Sequence, residues 1–215
     1  MYNPEWERIK AFDYAPKVKD LAFDLSAGEI PADHGYELFR ELTRHLPWLA
    51  EIPGFGVHPV HGAPTGRNDN LVINKRVKLV LRLPVERLAD AAALEGRTLR
   101  TSADEVVVGK LKERPLTPYA TLYSPFVVTG SADEAVFFAE AAAELEKMGI
   151  KAGMICGRQR KMRLPEGEVS GFSLMLHDVD LLQSLAVQEV GLGKYRQYGC
   201  GIFVPHKSIK EVSID

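Results

Sequence analysis

Two hydrophobic periods alternate along this chain, and they do so in the same order twice. "KVKDLAFDL" (17–25) sets Val18, Leu21, Phe23 and Leu25 among polar neighbours, the near-alternation of a half-buried strand. "IPADHGYELFRELTRHLPWL" then puts Leu38, Phe39, Leu42, Leu46 and Leu49 on one helical face, with Pro31 at the first helical position and Pro47 ending the helix. A short strand in "GFGVHPVHGAPTGRNDN" runs into a polar loop, and "LVINKRVKLVLRLP" reads as one longer strand. Pro84 opens a second helix, "VERLADAAALEG", stopped at Gly96, and "TLRTSADEVVVGK" closes the half as a strand or hairpin. The order restarts at the strand "YATLYSPFVVTG". Ser131 and Glu134 form a capping box for a helix over 132–148 that ends at Gly149. Strands near 151–163 and 168–177 turn at "PEG", a helix covers about 179–190, and "CGIFVP" is the last strand. Each half is β-α-β-β-α-β. The expected fold is α+β: two tandem ferredoxin-like (RRM-like) units packed together, residues 1–113 and 114–215.

A chain of 215 residues buries roughly 70% of its unfolded surface, enough to fold without disulfides or metal. Cys156 and Cys200 are far apart and lack metal-ligand spacing, a usage that suits a reducing cytoplasm. No apolar run approaches membrane-spanning length, and "MYNPEWERIK" is no signal peptide, so neither membrane nor export is expected. The formal charge of −2 excludes a uniformly basic nucleic-acid binder, but the signs are segregated. "KAGMICGRQRKMR" (151–163) holds five basic residues and no acid; Lys75, Arg76, Lys78 and Arg82 add a second basic run. Asp133, Glu134, Glu140, Glu144 and Glu146 collect elsewhere. Such segregation points to a basic face.

Near the C-terminus "VGLGKYRQYGCGIFVPHK" spaces Gly191, Gly193, Gly199 and Gly201 as G-x-G-x5-G-x-G. Glycines let main-chain N–H groups approach an anion closely. A P-loop would need glycine at Gln188 and a hydroxyl residue at Tyr195; a dinucleotide fingerprint would need glycine at Arg196. The loop is expected to meet phosphate in neither of those ways.

Together with that loop, "PADHGYELFRELTRHLPWL", "GVHPVHGAPTGR" and "TLYSPFVVTG" resemble the CRISPR-associated pre-crRNA-processing endoribonucleases of the RAMP superfamily. They look like the version tied to the myxobacterial variant of type I systems. The resemblance spans nearly the whole chain after about residue 17. It implies a metal-independent enzyme without cofactor that cuts CRISPR repeat RNA and retains the crRNA, with other effector-complex subunits as further partners. It also implies that the glycine loop helps hold RNA between the two units. The alternative is a non-catalytic RAMP-type subunit that only binds crRNA, since fold does not decide function.

RNA carries its own nucleophile, the 2′-hydroxyl beside the scissile phosphate, and its attack leaves a 2′,3′-cyclic phosphate. Protein must take that proton, steady the phosphate charge and protonate the leaving oxygen. Histidine suits the first and third tasks, lysine or arginine the second. His34 is the first choice, because a helix N-terminus welcomes phosphate and the resemblance makes an early-helix histidine a recurrent catalytic position. His45 is the second choice; at about 100° per residue it shares an edge with His34, but roughly 16 Å away along the axis. His58 and His61 lack an acidic or cysteine partner for metal and read as structural, with an approach of His58 to the active site left open; His177 and His206 read as structural too. The expected RNA contacts are Lys194 and Arg196, the backbone at Gly191 and Gly193, then Arg158, Arg160, Lys161 and Arg163 on the hairpin, and Arg67 in a loop. Tyr195 or Tyr198 would stack on a base or pack on the sheet.

Overall fold

The computed structural model describes residues 15–66 and 68–207. In the first half the elements are β1 (Val18–Leu25), β2 (Gly28–Pro31), α1 (Gly35–His45), β3 (Gly56–Val57), β4 (Ala63–Pro64), β5 (Asn70–Ile73), β6 (Lys78–Pro84), α2 (Leu88–Ala91), β7 (Thr98–Arg100) and β8 (Glu105–Arg114). The second half follows with β9 (Leu122–Val127), α3 (Glu134–Lys147), β10 (Gly153–Leu164), β11 (Gly167–His177), α4 (Leu181–Val190) and β12 (Val204–Pro205).

The strand orders are β3-β6-β1-β8-β7 and β10-β11-β9-β12. With β1, β3, β6 and β8 counted as first to fourth, both sheets read second-third-first-fourth, the order of a ferredoxin-like unit; β7 is an addition. A small sheet, β2-β5-β4, sits beside the first unit. Each half has its own core. Leu21, Phe23, Leu79, Leu81 and Leu83 of the first sheet meet Leu38 and Leu42 of α1. In the second half Leu122, Val127, Leu174 and Leu176 meet Phe137, Ala141 and Leu145 of α3. Each such buried leucine contributes about 1.5–3 kcal/mol. Among the described residues no helix is long and apolar enough to cross a membrane. Cys156 and Cys200 are unpaired.

Local differences from the sequence reading have local causes. Pro31 ends β2 rather than opening the helix, and His34 is the N-cap residue of α1. The long strand expected over 71–84 breaks in two at Asn74. Its side-chain oxygen accepts from Arg76 N–H (2.8 Å) and its carbonyl from Val77 N–H (2.9 Å), closing a turn. The helix expected after Pro84 is three short turns, 3₁₀ at Val85–Arg87 and Ala92–Leu94 on either side of α2. Its buried residues are Leu88, Ala91 and Leu94, a spacing of three that suits 3₁₀ geometry. Asp133, not Ser131, caps α3: its carboxylate accepts from Val136 N–H (3.0 Å), while Ser131 Oγ accepts from Asp133 N–H (3.0 Å). The last strand shrinks to two residues.

The halves are joined by a buried charge. Arg82 of β6, only 1% exposed, donates twice to Asp20 of β1 (2.7 and 2.9 Å) and, through Nη1, to the carbonyls of Gln188 (2.8 Å) and Phe203 (2.9 Å) in the other half. It therefore belongs to no basic face. Burial alone would raise the Asp20 pKa, but hydrogen bonds from His58 and Arg82, with their charges, hold it well below the usual carboxylate range.

Candidate RNA-cleavage cleft

A cleft of about 470 Å³ opens where the two halves meet. The first half contributes Asp33, His34, His61 and Asp69, and the second contributes Arg160, Lys161 and Tyr198. The sequence folds this way because α1 begins at Gly35. A Cβ there would lie 2.3 Å from the Tyr198 carbonyl, so the missing side chain lets the start of the helix rest on the glycine loop.

His34 lies at the floor of the cleft, 7% exposed, with both ring nitrogens occupied by backbone. Nδ1–H donates to Pro31 O (2.9 Å) and Nε2 accepts from Val60 N–H (3.0 Å). That pattern holds a neutral imidazole. Burial lowers its pKa below the ordinary histidine value; the Pro31 hydrogen bond and Asp33 oppose this, and His61 adds to it. His61 stands on the exposed wall and makes no hydrogen bond among the described residues. Partial burial, then the charge of Arg160, lower its pKa.

Of the expected cations, Arg160 and Lys161 line the cleft. Lys161 is paired with Glu168 (2.6 Å), whereas Arg160 has no carboxylate partner among the described residues. Arg158 and Arg163 are exposed along β10, an edge strand, and Arg163 N–H donates to Asp33 (2.9 Å). Lys194 is exposed on the glycine loop. Arg67 lies outside the described residues. His45 is not brought to the cleft; its Nε2–H donates to Thr98 O (3.0 Å), packing the last turn of α1 against β7.

The glycine loop does not present the backbone donors expected of it. Gly191 N–H donates to Val187 O (2.7 Å) and Gly193 N–H to Glu144 (2.7 Å), so neither amide is presented to a ligand. The glycines serve chain crossings instead. A Cβ on Gly193 would meet Val128 O at 2.4 Å, one on Gly201 would meet Leu192 O at 2.0 Å, and both have positive φ. Arg196 is also not a surface phosphate contact. It is buried, and its Nη1 donates to the carbonyls of Glu189 and Val190. With Gly191 N–H on Val187 O and Arg82 on Gln188 O, all four terminal carbonyls of α4 have partners, which explains why two like charges lie so close. Burial, then Arg82, push the Arg196 pKa down to about 10, and Asp20 limits the fall. Tyr195 and Tyr198 stack on each other (5.9 Å between centroids), and Tyr198 packs edge-on against Phe39 of α1 (5.1 Å).

A pair of ferredoxin-like halves is also the fold of solved CRISPR-associated proteins. The chain is similar to a solved CRISPR associated protein Cas6, with a TM-score of 0.68 and 15% identity over 88% of this chain and 100% of the other. It is similar in fold to CRISPR endoribonuclease Cse3 bound to 19 nt RNA, with a TM-score of 0.53 and 18% identity over 86% of this chain and 97% of the other. The Cas6 Crispr family model matches residues 19–208. The CRISPR-associated endonuclease Cas6 of Myxococcus xanthus (strain DK1622) is 37% identical over 187 residues, 86% of this chain and 80% of the relative. The chain belongs to the Cas6 family.

Proposed function

We propose that this chain is a metal-independent endoribonuclease that cuts CRISPR repeat RNA in the cleft between its halves and retains the crRNA. The observation that carries the reading is the meeting, in one open cleft, of imidazoles from the first half with the cations Arg160 and Lys161 from the second. The cations steady the charge on the scissile phosphate, a task that in other nucleases falls to a metal. A histidine moves the proton of the 2′-hydroxyl, and the 2′-oxygen attacks phosphorus. Family membership and the likeness to an RNA-bound Cse3 support repeat RNA as the substrate. Arg158 and Arg163 on β10, and Lys194 on the loop, extend the basic track along which the flanking RNA backbone lies.

The test is incubation of the protein with the repeat RNA of its own genome in EDTA. Cleavage at one position, leaving a 2′,3′-cyclic phosphate, is expected; activity that vanishes in chelator and returns with added metal overturns the metal-free reading.

Lys194→Ala is expected to weaken repeat-RNA binding and to reduce the slope of log affinity against log salt by about 0.7 to 0.9, the value of one phosphate contact. A titration across salt concentrations reads it. An unchanged slope would remove the loop from the RNA track.

A further inference from the structure

We infer that His61 is the base that takes the 2′-hydroxyl proton, and that His34 is a positioning residue that holds the His61 loop in place. The inference rests on the cleft reading above and assigns the proton transfer within it.

A base needs a ring nitrogen free to accept. In His34 neither is free, since Nδ1–H is committed to Pro31 O and Nε2 to Val60 N–H. His61 lies one residue beyond Val60, on the cleft wall, with no hydrogen bond among the described residues. Its loop is nonetheless held. His58 N–H donates to Val80 O (2.9 Å), and the His58 ring bonds Asp20 (3.3 Å). Val60 is buried, its amide fixed by His34. Gly62 leaves so little room that a Cβ would sit 2.6 Å from Val72 O of β5. An unbonded imidazole on a loop pinned at three points is what proton transfer requires: a defined position and an open lone pair.

The charged and titratable groups around His61 come from both halves: Asp33 and His34 at the start of α1, Asp69 before β5, Arg160 and Lys161 on β10, and Tyr198 of the glycine loop. Arg160 favours the neutral ring and attracts the phosphate, so base and substrate are prepared by one cation.

In the step itself, the 2′-O–H proton passes to His61. The 2′-oxygen forms a bond to phosphorus, and the P–O5′ bond breaks with its electron pair on O5′. Solvent water protonates O5′, and the hydroxide left behind is neutralised by the proton that His61 releases. The products are a 2′,3′-cyclic phosphate and a 5′-hydroxyl.

The experiment compares His61→Ala, His34→Ala and His34→Gln in single-turnover cleavage of the repeat RNA across pH, with RNA binding measured in parallel. Glutamine places an acceptor near the Nε2 position and cannot ionise in this range. His61→Ala is expected to lose at least about 100-fold in rate with binding retained, and to lose the rise of rate with pH that wild type shows with a midpoint below about 6.5. His34→Gln is expected to stay within about tenfold of wild type with that midpoint intact, and His34→Ala to fall further. Near wild-type cleavage by His61→Ala overturns the assignment. If His34→Gln is then as inactive as His34→Ala, His34 is the base and the cleft reading stands. Wild-type protein that leaves the repeat RNA intact refutes the function itself, an outcome distinct from either.

Discussion

Replacing the single 2′-hydroxyl just upstream of the cut by hydrogen is expected to stop cleavage while leaving repeat-RNA binding within a few-fold of the all-ribose substrate. The reaction proposed for this cleft has no nucleophile other than that oxygen, so the deoxy substitution removes a reactant. His61, Arg160 and Lys161 line the cleft, and in the proposed reaction they act on the phosphate and the proton. They lose nothing in the bound state when one hydroxyl is missing. On the proposed reading binding also draws on phosphates far from the cut, each contributing its own share of released counterions. An enzyme that activates water would cut the deoxy RNA at the same site. Cleavage of that substrate near the all-ribose rate would refute the mechanism.

Arg82→Ala is expected to cost about 3–5 kcal/mol, a large part of the stability of a domain pair. The substitution leaves Asp20 charged and mostly buried, and it strips a donor from the Gln188 and Phe203 carbonyls of the opposite half. Urea denaturation measures the loss. Should the variant fail to fold, Asp20→Asn reports on the same pair. The Asp20 pKa is lower in the folded protein than in the unfolded chain, where it is about 3.9. Its stabilisation is therefore complete above about pH 4 and is lost as the pH falls toward the folded value. Wild type should lose stability more steeply than Asp20→Asn below pH 4. Equal slopes, with Arg82→Ala costing less than about 1 kcal/mol, would show that packing alone joins the halves.

Much of the architecture was legible because strand and helix periods differ and the chain repeats one order of them. The site was legible in part. "VGLGKYRQYGCG" declares a backbone under constraint, but a glycine that faces an anion and a glycine that lets two chain segments cross are the same letter. Gly193 and Gly201 are of the second kind, and only the positions of Val128 O and Leu192 O distinguish them. Arg196 looks like its neighbour Lys194 in sequence; the bend at Tyr195, with φ of 66°, turns it inward to the end of α4. Arg82 did carry a signal. A lone arginine within "LVLRLP", between leucines on a central strand, has to find a buried acid, and Asp20 on the neighbouring strand is directly opposite in register. The place of His34 at a helix start was legible, and the structure has it as the N-cap residue lining the cleft. In sequence, His61 is one of two histidines in "VHPVH" and looks no different from His58. What sets it apart in the structure, an unbonded ring on a pinned loop, depends on contacts that no spacing reveals.

Strand β10 ends its sheet, and its twelve residues include Arg158, Arg160, Lys161 and Arg163. An open sheet edge is a template for pairing with another copy of the chain, and charge along it is one of the ways proteins prevent such pairing. On the proposed reading, the guanidinium and ammonium groups that meet RNA also disfavour edge-to-edge pairing of two copies before RNA arrives. Stripping them for the sake of a binding experiment is therefore expected to remove a solubility safeguard along with the affinity. Charge-reversed β10 variants, in which glutamate maintains the repulsion between copies while rejecting phosphate, separate the two roles more cleanly than alanine does.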